Sequence, residues 1–165
     1  MKSFIKSILL FGCFAIVFYV VALFIWGSYA PETLKPNLNY RIGSSGHLYS
    51  RLEEVKKVKN VDVLFLGSSH AYRGFDPRIF EEYGFSSFNL GSSAQTPIQT
   101  KVLLQRYLNQ LHPKIIVFEV SPASFSIDGV ESALDVIAND KNDCYSAEMA
   151  FKLNNMKVYN TLIYG

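Results

Sequence analysis

Twenty-one consecutive residues near the start of the chain, Ser7 to Gly27 (SILLFGCFAIVFYVVALFIWG), carry no charge. As a helix rising 1.5 Å per residue they extend about 31 Å, enough to cross the hydrocarbon core of a bilayer. Lys2 and Lys6 precede the run, and Tyr19, Trp26 and Tyr29 lie in or just past its second half. Positive charge ahead of an apolar span favours an N-in orientation, which sends everything after Ser28 to the far side. Two other uses of such a leader leave different marks. A cleaved signal peptide needs a shorter apolar run; Ser28-Tyr29-Ala30 offers a small-residue site, but Pro31 directly after it hinders cleavage. A lipoprotein signal ending at Cys13 would stop the apolar run there, and it continues. A retained transmembrane signal-anchor over residues 1–28 is the expectation.

That anchor shares 165 residues with whatever follows, so a single domain is the most the chain accommodates. The net charge of +2 gives no basic stripe for nucleic acid, and Lys56, Lys57 and Lys59 read as the solvated face of a helix. Cys13 and Cys144 are the two cysteines. With Cys13 in the apolar span, neither a disulfide framework nor a zinc site is expected, and no metal or other cofactor is implied.

Residues 29–46 carry Pro31, Pro36, Gly43 and Gly46 among polar residues and read as a linker. Residues 47–165 read as an α/β domain. Leu48, Leu52, Val55 and Val58 recur at helical spacing. Val61 to Leu66 is a short apolar run suited to a strand buried on both faces. Asp76 and Pro77 open a second helix that Gly84 closes. Phe85 to Leu90 predicts a second strand, and Thr96-Pro97-Ile98-Gln99 is a capping box leading a helix down to His112-Pro113. Lys114 to Val120 predicts a third strand, with further helices over Val130 to Ala138 and Ala147 to Tyr159. Alternating helices and strands imply a parallel sheet with helices on both faces. Open α/β sheets usually have five or more strands, so the chain reads as the first part of a longer domain.

In such sheets, sites form beyond the carboxyl ends of the strands. The loops Gly67-Ser68-Ser69-His70, Gly91-Ser92-Ser93-Ala94-Gln95 and Ser121-Pro122-Ala123-Ser124 fall there, all rich in small hydroxyl residues. A serine on a tight turn after a buried strand can present its hydroxyl to a substrate, with nearby backbone N–H groups converging on an oxyanion. The alternative for Ser69 is a serine satisfying N–H groups at a helix start, or part of an anion-binding nest.

Val63 to His70, a strand running into Gly-Ser-Ser-His, resembles the first block of the SGNH (GDSL-type) hydrolase superfamily. Phe88-Asn89-Leu90-Gly91 resembles its second block. The resemblance implies a flavodoxin-like three-layer sandwich, Ser69 as nucleophile, and the backbone N–H groups of Ser69 and Gly91 as oxyanion donors. Ser68, His70, Ser92 and Gln95 are then candidate rim or substrate contacts. The Gly-Ser-Ser-His form with a membrane anchor is similar to cell-envelope members that handle acyl groups of polysaccharides and teichoic acids. It implies a serine esterase or O-acyltransferase on the inner membrane. Its domain would lie in the periplasm or outside, with an envelope polysaccharide or acyl-donor protein as partner besides the membrane lipid.

The pattern also departs from that family. Glu119-Val120-Ser121-Pro122 stands where the third block places an asparagine, and the Asp-x-x-His block that supplies the base is missing. A base must reach the serine hydroxyl at about 2.6–3.2 Å. His70 is adjacent to Ser69 and expected to bond locally, His112 lies at the opposite end of the sheet, and His47 sits in the approach segment. Asp76 and Asn89 are explained by capping and strand-end turns. The chain is therefore expected to be an amino-terminal fragment or an inactive version of the enzyme. The alternative is a membrane-tethered binding or assembly module that keeps the same sheet.

Overall fold

The computed structural model describes residues 1–44 and 46–165; Ser45, inside the expected linker, lies outside them. The apolar run is the middle of one helix, α1 (Lys2–Tyr29), whose continuation past Ala30 is stopped by Pro31. Among the described residues it is the one helix long and apolar enough to cross a membrane. A single 3-10 turn (Glu32–Leu34) follows, and then the amphipathic α2 (Leu48–Val55), which buries Leu48, Leu52 and Val55.

β1 (Val63–Leu66) leads into a short helix, α3 (Ser69–Gly74), which the glycine–serine turn hides in the sequence. α4 (Pro77–Glu82) starts at the expected place, with the Asp76 side chain accepting from Arg78 N–H. β2 (Ser87–Asn89) and α5 (Pro97–Leu111) come next. The capping box of α5 is fully formed, with Thr96 and Gln99 each accepting from the other's end of the turn. β3 (Ile115–Phe118) is followed by the single-turn α6 (Pro122–Ser126) and by α7 (Val130–Asn139). The helix expected over Ala147 to Tyr159 is two helices, α8 (Cys144–Leu153) and α9 (Met156–Tyr164). Asn154 between them takes a left-handed φ of 45°, and the Asn155 side chain caps α9 by accepting from Lys157 N–H. Asparagine tolerates that conformation better than most residues, so the apolar periodicity ran on across a real break.

The three strands form a parallel sheet in the order β2-β1-β3. β1 is central, and its alternate side chains serve two layers. Leu64 and Leu66 enter the main core with α2, α5, α7, α8 and α9, where Leu103, Leu111, Ile137 and Met149 are buried. Phe65 points the other way and stacks on Phe75 at 4.7 Å and against Phe80 at 4.8 Å, so α3 and α4 cover the second face. Burial of β1 on both faces agrees with its uninterrupted apolar sequence.

A buried ionic cluster ties α5 to α7 and α8. Arg106 reaches Asp140 at 2.8 Å and Asp143 at 2.7 Å, and its Nη2 also donates to Ser146 Oγ. Tyr107 donates its hydroxyl to the other Asp140 oxygen at 2.8 Å. Burial opposes the Arg106 charge, but the bonds to Asp143 and Asp140 hold its pKa above the ordinary value.

Parts of the expected linker pack on the domain. Leu38 is buried, Asn39 N–H donates to Thr161 Oγ1, and Gly43 N–H donates to Asn139 Oδ1. The second half of α1 also docks on α9. Tyr19 donates its hydroxyl to Asn160 Oδ1 at 2.6 Å, Phe24 packs on Tyr164 at 5.5 Å, and Gly27 lies so close to Tyr164 that a methyl group there would collide.

Candidate functional site

The carboxyl ends of β1, β2 and β3 meet in one corner, built around two glycines. Gly67 has φ of 137°, and a Cβ on it would run into the Glu119 side chain and Ala71. Only glycine permits both that backbone and that approach. Gly91 is similarly crowded by Ala71 and by the Gly67 carbonyl. Ser92 N–H donates to Gly67 O at 3.1 Å, and Glu119 N–H donates to Leu66 O at 2.9 Å, so all three loops are pinned together.

Within this corner the two serines differ. Ser68 is the N-cap of α3 and is buried. Its hydroxyl donates to Glu119 Oε2 at 2.7 Å, its backbone N–H donates to the same oxygen at 2.9 Å, and His70 N–H donates to Oγ at 3.4 Å. His70 Nδ1 lies 3.1 Å from Oγ. A hydroxyl offers one proton and two lone pairs, so with the proton on Glu119 the imidazole must be the donor through Nδ1–H. Ser68 is then saturated. Ser69, at the first position of α3 and only partly buried, has no hydrogen-bond partner for its hydroxyl among the described residues. Its backbone N–H, at a helix start, has no intrahelical acceptor.

The remaining sequence candidates fall into place unevenly. His70 is at the surface beside this cluster, with its Nδ1 3.9 Å from Glu119 Oε1. Gly91 N–H donates to Asn89 Oδ1 at 2.9 Å, so it would have to leave that acceptor to meet an oxyanion. The Asn89 amide also donates to the carbonyls of Ala71 and Phe75, which makes it the clamp between β2 and α3. Ser92 and Gln95, expected at the rim, are instead buried. Ser92 Oγ donates to Gln95 Oε1, and Gln95 Nε2 donates to Thr100 Oγ1, an internal network that shapes the loop into α5.

Glu119 is the residue the sequence reading passed over, noted there only for not being asparagine. A carboxylate at the end of an apolar strand, facing a glycine turn, was the available signal. Among the described residues no group of three or more His, Cys, Asp or Glu side chains is placed to hold a metal ion. Comparison of the chain with protein-family models, with curated proteins and with solved structures finds no match.

Proposed function

We propose that this chain is a membrane-anchored SGNH-like serine esterase or O-acyltransferase domain, acting on acyl groups of cell-envelope polysaccharide. The observation that carries the reading is the contrast at the elbow after β1: Ser68 is saturated, while Ser69 keeps a free hydroxyl at the carboxyl end of the central strand. The parallel order β2-β1-β3 supports it, because flavodoxin-like sheets begin with the same arrangement. Ser69 Oγ attacks the acyl carbonyl while its proton passes to the departing sugar oxygen, the oxyanion is met by Ser69 N–H and by Gly91 N–H released from Asn89, and the ester C–O bond to the sugar breaks. Water or a second sugar hydroxyl then cleaves the acyl-serine ester and returns its proton to Ser69 Oγ. The N-in orientation set by Lys2 and Lys6 puts this chemistry in the periplasm or outside the cell.

One observation favours a second reading, a non-catalytic membrane-tethered binding module. Among the described residues no imidazole contacts the Ser69 hydroxyl, and the histidine beside it is bonded to Ser68. A fluorophosphonate probe on the full chain in detergent separates the two. Covalent labelling that disappears in Ser69→Ala, and persists in Ser68→Ala if that variant stays folded, is the expected result. Absence of Ser69-dependent labelling at any pH between 6 and 9 gives the second reading the site.

A further inference from the structure

The described residues also form a cleft away from Ser69. It has a volume of about 760 Å³ and opens between the start of α2, the outer side of α3 and the start of α4. Pockets that hold a sugar-sized ligand are of this order. Its wall carries Arg51, Arg73 and Arg78 against Glu54 and Asp76, with His47 and Tyr72 supplying aromatic surface.

The five charges are not equivalent. Arg78 is consumed by Asp76 through both its Nε and Nη2, the latter at 2.6 Å. Arg51 spends Nη1 on Asn89 O at 2.8 Å, and its Nε is buried with no hydrogen-bond partner. Arg73 lies 5.6 Å from the centre of the Tyr72 ring and forms no ion pair among the described residues. Glu54 likewise forms no ion pair among them. Arg73 and Glu54 thus line the cleft without ion-pair partners among the described residues, and Arg51 keeps Nη2 beyond its bond to Asn89 O. Burial holds the Arg51 pKa below its ordinary value, against the opposing pull of Glu54.

Each group selects a different feature of a ligand. Guanidinium forks match carboxylate and phosphate oxygens and bind them bidentately. A bare inorganic anion would gain from Arg51 and Arg73 but be repelled by Glu54 and Asp76 in the same cleft. A ligand that also carries hydroxyl groups turns those carboxylates into acceptors, and a ring with a flat apolar side finds Tyr72 and His47, whose own rings meet edge-on at 6.2 Å. We propose that this cleft is a binding site for an anionic sugar, a saccharide bearing a carboxylate or a phosphate, held by Arg51 and Arg73 with Glu54 accepting from its hydroxyls. The site stands whether or not Ser69 reacts, because none of these groups belongs to the glycine–serine corner.

Titration calorimetry on the full chain in neutral detergent tests it with four probes: a glucuronate trisaccharide, a hexose phosphate, maltotriose and inorganic phosphate. The two charged sugars are expected to bind at least tenfold tighter than maltotriose and than inorganic phosphate. That margin should vanish in Arg73→Gln, an exposed change that leaves the thermal midpoint unmoved. Glu54→Gln should weaken the sugars several-fold without restoring selectivity for the neutral one. Equal binding of charged and neutral sugars overturns the proposal, and so does binding unaffected by Arg73→Gln. Preference for inorganic phosphate over both charged sugars overturns it as well. The relative affinity of glucuronate and hexose phosphate identifies which anion the forks are set for.

Discussion

β1 and β3 lie side by side in register, each four residues long and wholly apolar, with Val63 opposite Ile115 and Leu66 opposite Phe118. Every β1 side chain is buried, whereas Ile115 is 58 % exposed, Ile116 45 % and Phe118 38 %. Composition cannot account for the difference, because the two sequences are equally apolar. Position does. β1 has a strand on each side and helices over both faces, while β3 has a strand on one side only. Beside β3 an open apolar groove of about 350 Å³ runs along α5, lined by Leu66, Leu104, Leu108, Ile116 and Phe118. A run of apolar residues therefore specifies a strand, and the surrounding layers decide whether that strand is core.

The comparison is most severely tested at the charges. Arg106 on the closed side has a fully buried side chain between Asp140 and Asp143, so Arg106→Ala strands a buried carboxylate. A loss of about 3–5 kcal/mol is expected in urea unfolding of the detergent-solubilised chain. Lys114→Ala removes the pair with Asp62 on the β3 side, which is solvent-exposed, and should leave the urea midpoint unchanged. A similar loss from both would mean that the two sides are equally built.

A matched pair of truncations is the next test. Leu64→Ala, at a residue with no exposure, should cost about 2–5 kcal/mol, and Ile116→Ala directly beside it should cost under about 1 kcal/mol. Equal costs would show that β3 is covered in solution and would abolish the contrast.

The smallest expected effect sharpens the comparison from the closed side, which is not uniformly satisfied. Asp135 on α7 is buried, its Oδ2 has no hydrogen-bond partner, and burial pushes its pKa up to about 7. Because the folded pKa is above the unfolded value of about 3.9, the native state binds the extra proton. Its contribution is fully favourable below pH 4 and is lost as pH rises through 7. Asp135→Asn should remove that slope and raise stability at pH 8 by on the order of 2 kcal/mol, after allowance for partial access of solvent. Thermal midpoints at pH 5 and pH 8 report it: the variant's gain must be larger at pH 8.

Local signals in the sequence were read correctly where one residue determines the outcome. Asp76 and Thr96 cap the helices they were expected to cap, Gly67 ends β1, and the strands fall inside their predicted runs. What escaped was either too short or local for periodicity to mark, or set by partners distant in sequence. α3 is too short for any periodicity, and the left-handed Asn154 that divides α8 from α9 sits between two stretches with one continuous apolar pattern. At the site, Ser69 and Gly91 were visible as glycine–serine turns. Glu119 was not, because its meaning depends on a contact with Ser68 across 51 positions. Arg51 did not stand out for the same reason, since Asn89 O lies 38 positions away.

The seam between α1 and α9 has a mechanical consequence. Tyr19 sits past the midpoint of the apolar run, yet it is hydrogen-bonded to Asn160, Phe24 packs one side on Tyr164, and Gly27 is closed over by Tyr164. A tethered domain on a flexible leash samples a hemisphere of heights above the bilayer. Here the body is bolted to the second half of α1, so helix and body move as one piece. The glycine–serine corner then keeps one distance from the axis of α1.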